Sequence, residues 1–388
     1  MVLYSYYPLD ARVKRECDTL LEHGINVDVI CIRNDEEKRQ EDHNGVSITR
    51  LPMKLERGGI FRYSFQYGLF FAMIFFLLMK RSFSRKYDVI HFHSLPDFIV
   101  FAGVIPKLFG ATLILDLHEA MPEIFISKIR NEKLFTAMKH LERWSIQFAD
   151  IVITVNDIIR ELFIERGADG RKIRVIMNVP QKIPFIKNYH EFPENGPLTI
   201  VFSGRLNEHN NFNSLLEGMA SMKGKIPIKL HIYGDGEQEN EIKSNGRNLN
   251  LENDIIFHGR VPHDDVISEI SKYDIAILPL VHSPITELAI PTKLWDYVAA
   301  KLPILTSDLN AIRKTMGKIV HYYNNNNDDP TSIISGVYEI IGSGKKATYN
   351  KLVVASEILN AIRWEIMGKR LIDVYKSIEN HSILKGAI

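Results

Sequence analysis

Short β-rich runs alternate with helical stretches along most of this chain. They lie at residues 2–5, 25–30, 88–93, 112–117, 151–155 and 173–177, and then at 199–202, 230–233, 255–258, 275–278 and 303–306. Strands separated by helices form parallel βαβ units, because a parallel connection needs a crossover of a dozen or more residues. The pattern therefore predicts an α/β fold with doubly wound sheets.

The composition is that of a two-domain globular protein. A chain of 388 residues is longer than one hydrophobic core usually serves. Its net charge of +1 argues against a nucleic-acid partner. The two cysteines, Cys17 and Cys31, are too few for a disulfide scaffold and suit a reducing cytoplasm. The sequence has no metal-binding spacing of Cys or His and no signal-peptide pattern, so we expect no metal and a cytoplasmic location.

Polar loops follow the predicted strands of the first half. Residues 8–12, 91–97 and 118–123 each come at the carboxyl end of a strand. Ligands of doubly wound sheets bind beyond those ends, so these loops are expected to face one crevice. A helix is expected over about residues 11–23, with Gly24 as its left-handed C-cap.

Three predicted strands of the second half end in glycine. Glycine lets the backbone approach a phosphate, and an arginine fork pairs with phosphate oxygens. The three turns therefore predict a phosphate-facing edge. They carry Gly204 with Arg205, then Gly234 and Gly236, then Gly259 with Arg260 and Val261. The stretch up to about residue 197 is expected to link the two halves.

Residues 284–308 contain the most informative short pattern. Pro291 marks a helix N-terminus, where its missing N–H costs nothing. Lys293 and Asp296 then lie on one face of the first turns. A helix N-terminus and a lysine favour an anion such as a diphosphate, and a carboxylate accepts hydrogen bonds from a ribose. The alternative is an ordinary buried helix with two solvated charges.

Several of these motifs together resemble family 4 glycosyltransferases. That family has a P-x-K-x-x-E-Y helix, the turns F-x-G-R-L, I-x-G-x-G-x and F-x-G-x-V, and an opening D-x-R-V-x-R-E. The resemblance runs from residue 3 to about 376. It implies the GT-B fold, in which two Rossmann-like doubly wound domains face each other across a deep interdomain cleft. The implied domains are an acceptor side at 1–185, a nucleotide-sugar side at 186–362, and a helix at 363–388 that crosses back.

The resemblance also implies roles for individual residues. His118 and Glu119 would act at the reacting sugar, and Arg205 and Lys293 would neutralise the leaving diphosphate. A histidine after a strand is otherwise often just a satisfied polar residue. The implied donor site comprises Gly204, Arg205, Gly234, Gly236, Gly259, Arg260, Val261, Glu287, Pro291, Thr292, Lys293 and Asp296. The implied acceptor side comprises Asp10, Arg12 and His93.

The implied reaction is metal-independent transfer of a sugar from a nucleotide-diphosphate sugar, with retention of anomeric configuration. No cofactor is expected. The acceptor would be a glycan or a lipid-linked molecule in surface polysaccharide or glycoconjugate synthesis. Two alternatives stay open: a GT-B nucleotide-sugar epimerase that releases the nucleotide without an acceptor, and a non-catalytic sugar-nucleotide-binding subunit of a transferase complex.

The sequence departs from the family pattern at four donor positions. Asn210 and Asn211 stand where a cation and a glycine are usual, so one expected phosphate contact is missing. Asp296 replaces the usual glutamate. Leu288 falls where the family has a carboxylate, and Glu287 lies one place earlier. Asn210 and Asp296 are the features that favour the non-catalytic alternative.

Residues 67–79 are almost entirely hydrophobic. Thirteen residues are too few for a helix to cross a bilayer, which takes about 20. The stretch is therefore expected to be either a core helix or a helix on a membrane surface, where flanking cations would meet anionic lipid. Together with Phe65 just before it, the stretch has five phenylalanines, at 65, 70, 71, 75 and 76, which is more than one sheet-facing stripe would bury. The flanking cations are Arg57, Arg62, Lys80, Arg81, Arg85 and Lys86.

Overall fold

The computed structural model describes residues 1–55, 58–84, 86–129, 131–180, 192–193, 196–324, 330–344, 357, 359–360 and 362–386. They form two compact units, one of Met1–Asn178 with Glu365–Ile388 and one of Val179–Trp364. The predicted boundaries lay after residues 185 and 362. Most of the predicted linker, together with Arg57 and Arg85, lies outside the described residues.

The first unit contains an eight-stranded sheet among its described residues. The strands are β1 Val2–Leu3, β2 Asp28–Ile32, β3 Gln40–His43, β4 Val46–Leu51, β5 Val89–His93, β6 Thr112–Leu117, β7 Ile151–Thr154 and β8 Ile173–Val175. Their order is β3-β4-β2-β1-β5-β6-β7-β8, and every pair except β3–β4 is parallel. The order reverses between β1 and β5, so the loops after those strands lie at a switch point.

Helices cover this sheet, and their ends follow from the local sequence. Helix α1 begins after Asp10, whose carboxylate accepts from the Val13 N–H, and Gly24 follows it with φ +77°. The predicted end of α1 is thus confirmed to within a residue. The helices are α1 Ala11–Glu22, α2 Ile60–Ser84, α3 Val104–Leu108, α4 Met121–Ile129, α5 Glu132–Phe148 and α6 Asp157–Glu165, with a 3₁₀ helix at Asp97–Gly103.

Helix α2 is longer than the sequence indicated. It extends over 25 residues because the segments flanking 67–79 continue the helix on both sides. Its length and composition would suffice to cross a membrane, a test that core helices also pass. Gln66, Phe70, Ile74 and Leu78 form one buried stripe with a spacing of four. The helix therefore packs on the first unit along one face and leaves apolar side chains exposed on another.

The second unit contains a six-stranded parallel sheet among its described residues. The strands are β9 Leu198–Ser203, β10 Ile228–Tyr233, β11 Ile255–Gly259, β12 Ile275–Leu278, β13 Ile304–Ser307 and β14 His321–Tyr323. The order β11-β10-β9-β12-β13-β14 places a switch point between β9 and β12. The helices are α7 Phe212–Met222, α8 Glu239–Asn248, α9 His263–Ile270, α10 Thr292–Ala299, α11 Asn310–Met316 and α12 Pro330–Ser343.

The core of the second unit lies between its sheet and helices. Phe202, Leu230 and Ile277 on the strands pack with Leu215 and Leu216 of α7, and all five are fully buried. Strands buried on both faces read as continuous apolar runs, which is why their positions could be predicted. The last helix, α13 Trp364–Gly386, follows this unit in the chain but belongs to the first from Glu365 onward.

Candidate functional site

A pocket of about 380 Å³ opens at the carboxyl ends of β9, β10 and β11 in the second unit. Its position at the switch point is where doubly wound sheets bind ligands. Eight of the predicted donor residues line it: Gly204, Arg205, Gly234, Arg260, Val261, Thr292, Lys293 and Asp296. Ser203, Tyr233, Asp235 and Val266 complete the lining.

The glycines allow two strand-end loops to pack backbone against backbone. Gly234 has φ +136°, and a side chain there would overlap the carbonyl oxygen of Gly204. A side chain at Gly236 would overlap the carbonyl of Leu206 in the same way. The Gly234 N–H donates to Gly259 O at 2.7 Å. Gly236 and Gly259 thus shape the loops without lining the pocket.

Helix α10 is fixed against the sheet by Tyr297. The buried tyrosine hydroxyl accepts from the Ser203 N–H at 2.9 Å and donates to Ile277 O at 3.3 Å. This contact places the first turn of α10, with Thr292 and Lys293, beside the end of β9. Pro291 is the residue just before the helix, one place earlier than predicted.

Lys293 is the cation held most tightly in the pocket. Its ammonium lies 4.4 Å from the centre of the Phe202 ring and next to Gly204. Burial lowers the pKa of Lys293 to about 8, and the nearby carboxylate of Asp296 opposes that effect. Asp296 is itself nearly buried. The free site therefore holds a lysine whose charge an anionic ligand would stabilise.

The two arginines of the pocket pair with acidic residues of the neighbouring loop. Arg205 contacts Glu237 at 2.9 Å, and Arg260 contacts Asp235 at 2.6 Å. Both guanidinium groups are well exposed, so these ion pairs add little stability. A bound diphosphate would compete with the two carboxylates for the arginines.

Glu287 has a different environment from the one predicted. Its carboxylate accepts from the Asn310 N–H at 2.8 Å, at the start of α11, and pairs with His282 at 2.6 Å. Its carbonyl accepts from the Ala311 N–H. A carboxylate at a helix N-terminus satisfies free N–H groups and the helix dipole. Glu287 therefore anchors α11 and does not line the pocket.

The first unit holds a buried charged cluster at the carboxyl end of β6. Arg12 donates two hydrogen bonds to Asp116, of 2.8 Å to Oδ2 and 3.0 Å to Oδ1. It donates a third hydrogen bond to Ile176 O. Burial alone would raise the pKa of Asp116, but Arg12 and His118 outweigh it and hold that pKa well below its usual value. The cluster therefore contains a stable buried carboxylate.

His93 and His118 join the same carboxylate. His118 Nε2 lies 3.2 Å and His93 Nδ1 lies 3.4 Å from Asp116 Oδ2. Burial lowers the pKa of His93 to about 4, so this ring is neutral at pH 7. Of the two rings, His93 is fully buried whereas His118 is partly exposed.

The other predicted residues of the first unit lie around this cluster. Arg12 and His93, predicted on the acceptor side, are buried within it, and Asp10 caps α1. Glu119 is exposed beside His118. The sequence reasoning missed Asp116, although the run Asp116-Leu117-His118-Glu119 contains it. It also missed Tyr375, whose hydroxyl lies 3.1 Å from Nδ1 of the buried His91.

Four buried side chains of the cluster could share an ion. The ligand atoms of Glu16, His91, His93 and Asp116 lie within 4.8 Å of one another. Arg12, however, contacts both carboxylates, at 3.2 Å from Glu16 and 2.8 Å from Asp116. Since Arg12 already supplies the positive charge, the arrangement favours an ion pair over a metal ion. The absence of a metal stays a prediction.

Two family models match the chain over most of its length. One, described as "Glycosyl transferase 4-like domain", matches residues 10–178. The other, described as "Glycosyl transferases group 1", matches residues 184–353. Both models are of glycosyltransferases, and each matches one half of the chain. The recognition made from the motifs is thus confirmed.

Individual relatives agree with this family. Lipopolysaccharide 1,6-galactosyltransferase of Escherichia coli is 27% identical over 241 residues, which cover 57% of this chain and 64% of that protein. The alignment thus spans less than two thirds of that curated relative.

Solved structures show the same fold. Sucrose-phosphate synthase of Thermosynechococcus elongatus has a TM-score of 0.76 at 14% identity, over 97% of this chain and 95% of that one. HepE of Anabaena in complex with UDP has a TM-score of 0.66 at 12% identity, over 97% and 98%. The predicted GT-B fold is thus confirmed.

Asn210, one of the chain's departures from the family 4 pattern, has a structural role. Its amide donates to Arg205 O at 3.1 Å and to the side chain of Asn207 at 2.8 Å. The residue is almost fully buried. Asn210 therefore stabilises the loop that carries Arg205, at a position where the family usually has a cation that would face an anion.

Proposed function

We propose that this protein transfers a sugar from a nucleoside diphosphate sugar to a hydroxyl of a glycan or lipid-linked acceptor, with retention of configuration and without a metal. The observation that carries the proposal is the second-unit pocket. It combines Lys293, Arg205 and the first turn of α10 with Asp296 at a Rossmann switch point. Cations and helix N–H groups suit a diphosphate, and a carboxylate suits a ribose.

The pocket supplies what departure of a diphosphate requires. Transfer breaks the bond from the anomeric carbon to the phosphate oxygen and forms a bond to the acceptor oxygen. The acceptor proton passes to the departing phosphate oxygen, so no enzymic nucleophile is needed. Charge grows on the diphosphate as the bond breaks, and Lys293 and Arg205 would stabilise it. His118 and Glu119 keep the role at the reacting sugar that the family resemblance implies.

Two similar structures support a uridine nucleotide as the first donor to test. HepE of Anabaena is described in complex with UDP and also with UDP and glucose. We propose that UDP-sugars are donors here too. The low identity of HepE to this chain leaves the sugar open, so a panel of UDP-sugars is the suitable screen.

The deciding experiment measures donor consumption with and without acceptor extracts. Acceptor-dependent release of UDP supports the transferase, whereas acceptor-independent release indicates the epimerase. Binding of UDP without turnover under either condition indicates the non-catalytic subunit. Arg205→Ala should lower transfer about a hundredfold, the scale of removing one charge-stabilising contact. Arg171→Ala is the matched control, because it removes an exposed ion pair, with Asp169, and Arg171 does not line the pocket.

We further propose that the protein works peripherally at the cytoplasmic face of a membrane, through the exposed face of α2. Phe65, Phe76 and Phe83 on that face are 61 to 74% exposed, and the neighbouring Leu108 is 78% exposed. A group of exposed apolar side chains on one face of a helix usually marks a contact surface. Such a surface suits a lipid-linked acceptor.

Cations border this face, although fewer than the sequence suggested. Arg62, Lys80 and Lys86 are exposed. Arg81 turns inward instead, where it donates to Thr49 at 2.7 Å and to Tyr87 at 2.9 Å. The expected role of Arg81 at lipid heads is therefore wrong, because its guanidinium is satisfied inside the unit.

Vesicle co-sedimentation tests the membrane proposal. Anionic liposomes should retain the protein at low salt, and part of the binding should survive high salt because apolar contacts are not screened. A Phe65→Ser and Phe76→Ser double variant should lose the salt-resistant part. Trp144→Ser is the matched control, since Trp144 is an equally exposed aromatic residue on α5. Wild-type protein that stays in the supernatant under every condition would refute the proposal.

A further inference from the structure

Asp116 is the next-to-last residue of β6, and His118 follows the strand directly. The carboxylate of Asp116 is completely buried, and Arg12 binds both of its oxygens. A bidentate guanidinium pair fixes the orientation of a carboxylate as well as its charge. Asp116 therefore meets His118 as a rigid, ionised group.

Three side-chain nitrogens converge on one oxygen of this carboxylate. Arg12 Nε lies 2.8 Å, His118 Nε2 lies 3.2 Å and His93 Nδ1 lies 3.4 Å from Asp116 Oδ2. An ionised carboxylate can only accept hydrogen bonds. His118 must therefore carry its proton on Nε2, and its other ring nitrogen, Nδ1, is the acceptor in the neutral ring.

The backbone adds a second restraint on His118. Its N–H donates to the hydroxyl of Ser94 at 3.1 Å. The main chain and the ring of His118 are thus each held by a separate partner in the first unit. A residue held at two points keeps one orientation, which a group that acts on a substrate needs.

We propose that Asp116, held by Arg12, is a positioning residue that fixes His118 in the Nε2–H tautomer and leaves Nδ1 as a hydrogen-bond acceptor. The inference rests on the proposed function for its use in transfer. An acceptor nitrogen recognises hydroxyl groups, which donate, and gains nothing from ionised phosphate oxygens, which do not. His118 would then recognise a sugar hydroxyl and not a phosphate.

The tautomer can be measured directly. Long-range ¹H–¹⁵N correlation spectra of protein labelled at histidine distinguish a protonated from an unprotonated ring nitrogen. The His118 signals are assigned by their loss in His118→Gln. We expect an unprotonated Nδ1 and a protonated Nε2 at pH 7.5. The Nδ1–H tautomer, or the mixture seen in free imidazole, would overturn the inference. This result does not depend on whether the protein is a transferase.

A double-mutant cycle tests the consequence for the reaction. Asp116→Asn alone would leave the buried Arg12 with Glu16 as its remaining carboxylate contact, so it is combined with Arg12→Gln. We expect kcat to fall about 10- to 100-fold, a range typical when the partner that orients a functional histidine is lost. The Kd for UDP should not change.

The same pair of changes is then made in a His118→Ala background. If Asp116 acts through His118, the pair of changes should cause little further loss of kcat in the His118→Ala protein. An equal loss in both backgrounds, or a loss of UDP binding, would show a purely structural role. Wild-type protein without transfer activity would refute the proposed function alone, since the tautomer measurement would still stand.

Discussion

Lys293 links donor binding to pH. Burial lowers its pKa to about 8 in the free site, from an ordinary 10.5. A diphosphate placed beside the ammonium would favour the charged form and raise that pKa again. Binding should therefore take up a proton wherever the free lysine is partly neutral. Affinity for UDP is expected to be level up to about pH 7.5 and to fall roughly tenfold per pH unit between about pH 8 and 10.

The structure sets the size of this effect. Full restoration of the pKa to its ordinary value corresponds to about 3 kcal/mol, or roughly two orders of magnitude in Kd. At pH 8.5 about a quarter of the free protein carries the proton, so binding should take up about three quarters of a proton. The terminal phosphate of UDP is already ionised at this pH and contributes little.

Isothermal titration calorimetry in two buffers with different ionisation enthalpies measures that uptake. Lys293→Met should abolish it and weaken UDP binding about a hundredfold. The same change should raise the melting temperature of the free protein at pH 7, because the depressed pKa means that the charged lysine destabilises the folded state below pH 8. Lys318→Met is the matched control, as an exposed lysine of the same unit.

Three results would contradict this prediction. A Kd for UDP that does not change between pH 7 and 9.5 would show that Lys293 does not contact the diphosphate. Proton uptake that persists in Lys293→Met would assign the titration to another group. A melting temperature that falls in this variant would contradict the destabilising charge.

Three further predictions concern Gly234, Asp97 and Asp296. Gly234→Ala should lower the free energy of unfolding of the second unit by about 1–3 kcal/mol or more in urea, because φ is positive there and the new side chain would overlap Gly204. Gly196→Ala is the control, since Gly196 also has a positive φ but lies in open space. Equal losses of stability in the two variants would exclude the overlap as the cause. Asp97→Asn should stabilise the protein at pH 7 by about 1–3 kcal/mol, because burial, then Glu142, raise the pKa of Asp97. Its folded state binds the proton more tightly than the unfolded state, so wild-type stability should fall as pH rises above about 4, and a variant with the same pH profile would contradict this. Asp296→Ala should weaken UDP binding by about 1.5–3 kcal/mol, whereas Asp296→Glu should bind as well or better; unchanged titration of the alanine variant would remove Asp296 from the site.

Most of the fold could be predicted because buried strands leave an unbroken apolar signal. The strand Thr112–Leu117 was predicted with the bounds that the structure has. The hairpin of β3 and β4 was missed, since Gln40–His43 is polar and exposed. Asn44 and Gly45, with φ of +52° and +84°, did carry a hairpin turn signal.

The sequence predicted the pocket residues of the second unit better than the contacts within the cluster of the first unit. The pocket residues of the second unit come from short motifs after strands, so topology alone brings them together. The contact between Arg12 and Asp116 joins residues 104 apart. No local pattern says which carboxylate a buried arginine will pair with. For this reason Arg12 was predicted on the acceptor side, whereas in the structure its guanidinium donates two hydrogen bonds to Asp116.

The first unit is discontinuous in the chain, and this affects how it is made. Its sheet is complete by Asn178, but Tyr375 on α13, whose hydroxyl lies 3.1 Å from His91, comes only after the whole second unit. Ribosomes add about 5–20 residues per second, so a nascent first unit would wait about 10 to 40 s for this helix. During synthesis, then, the part of the protein translated first would be the last to complete its packing.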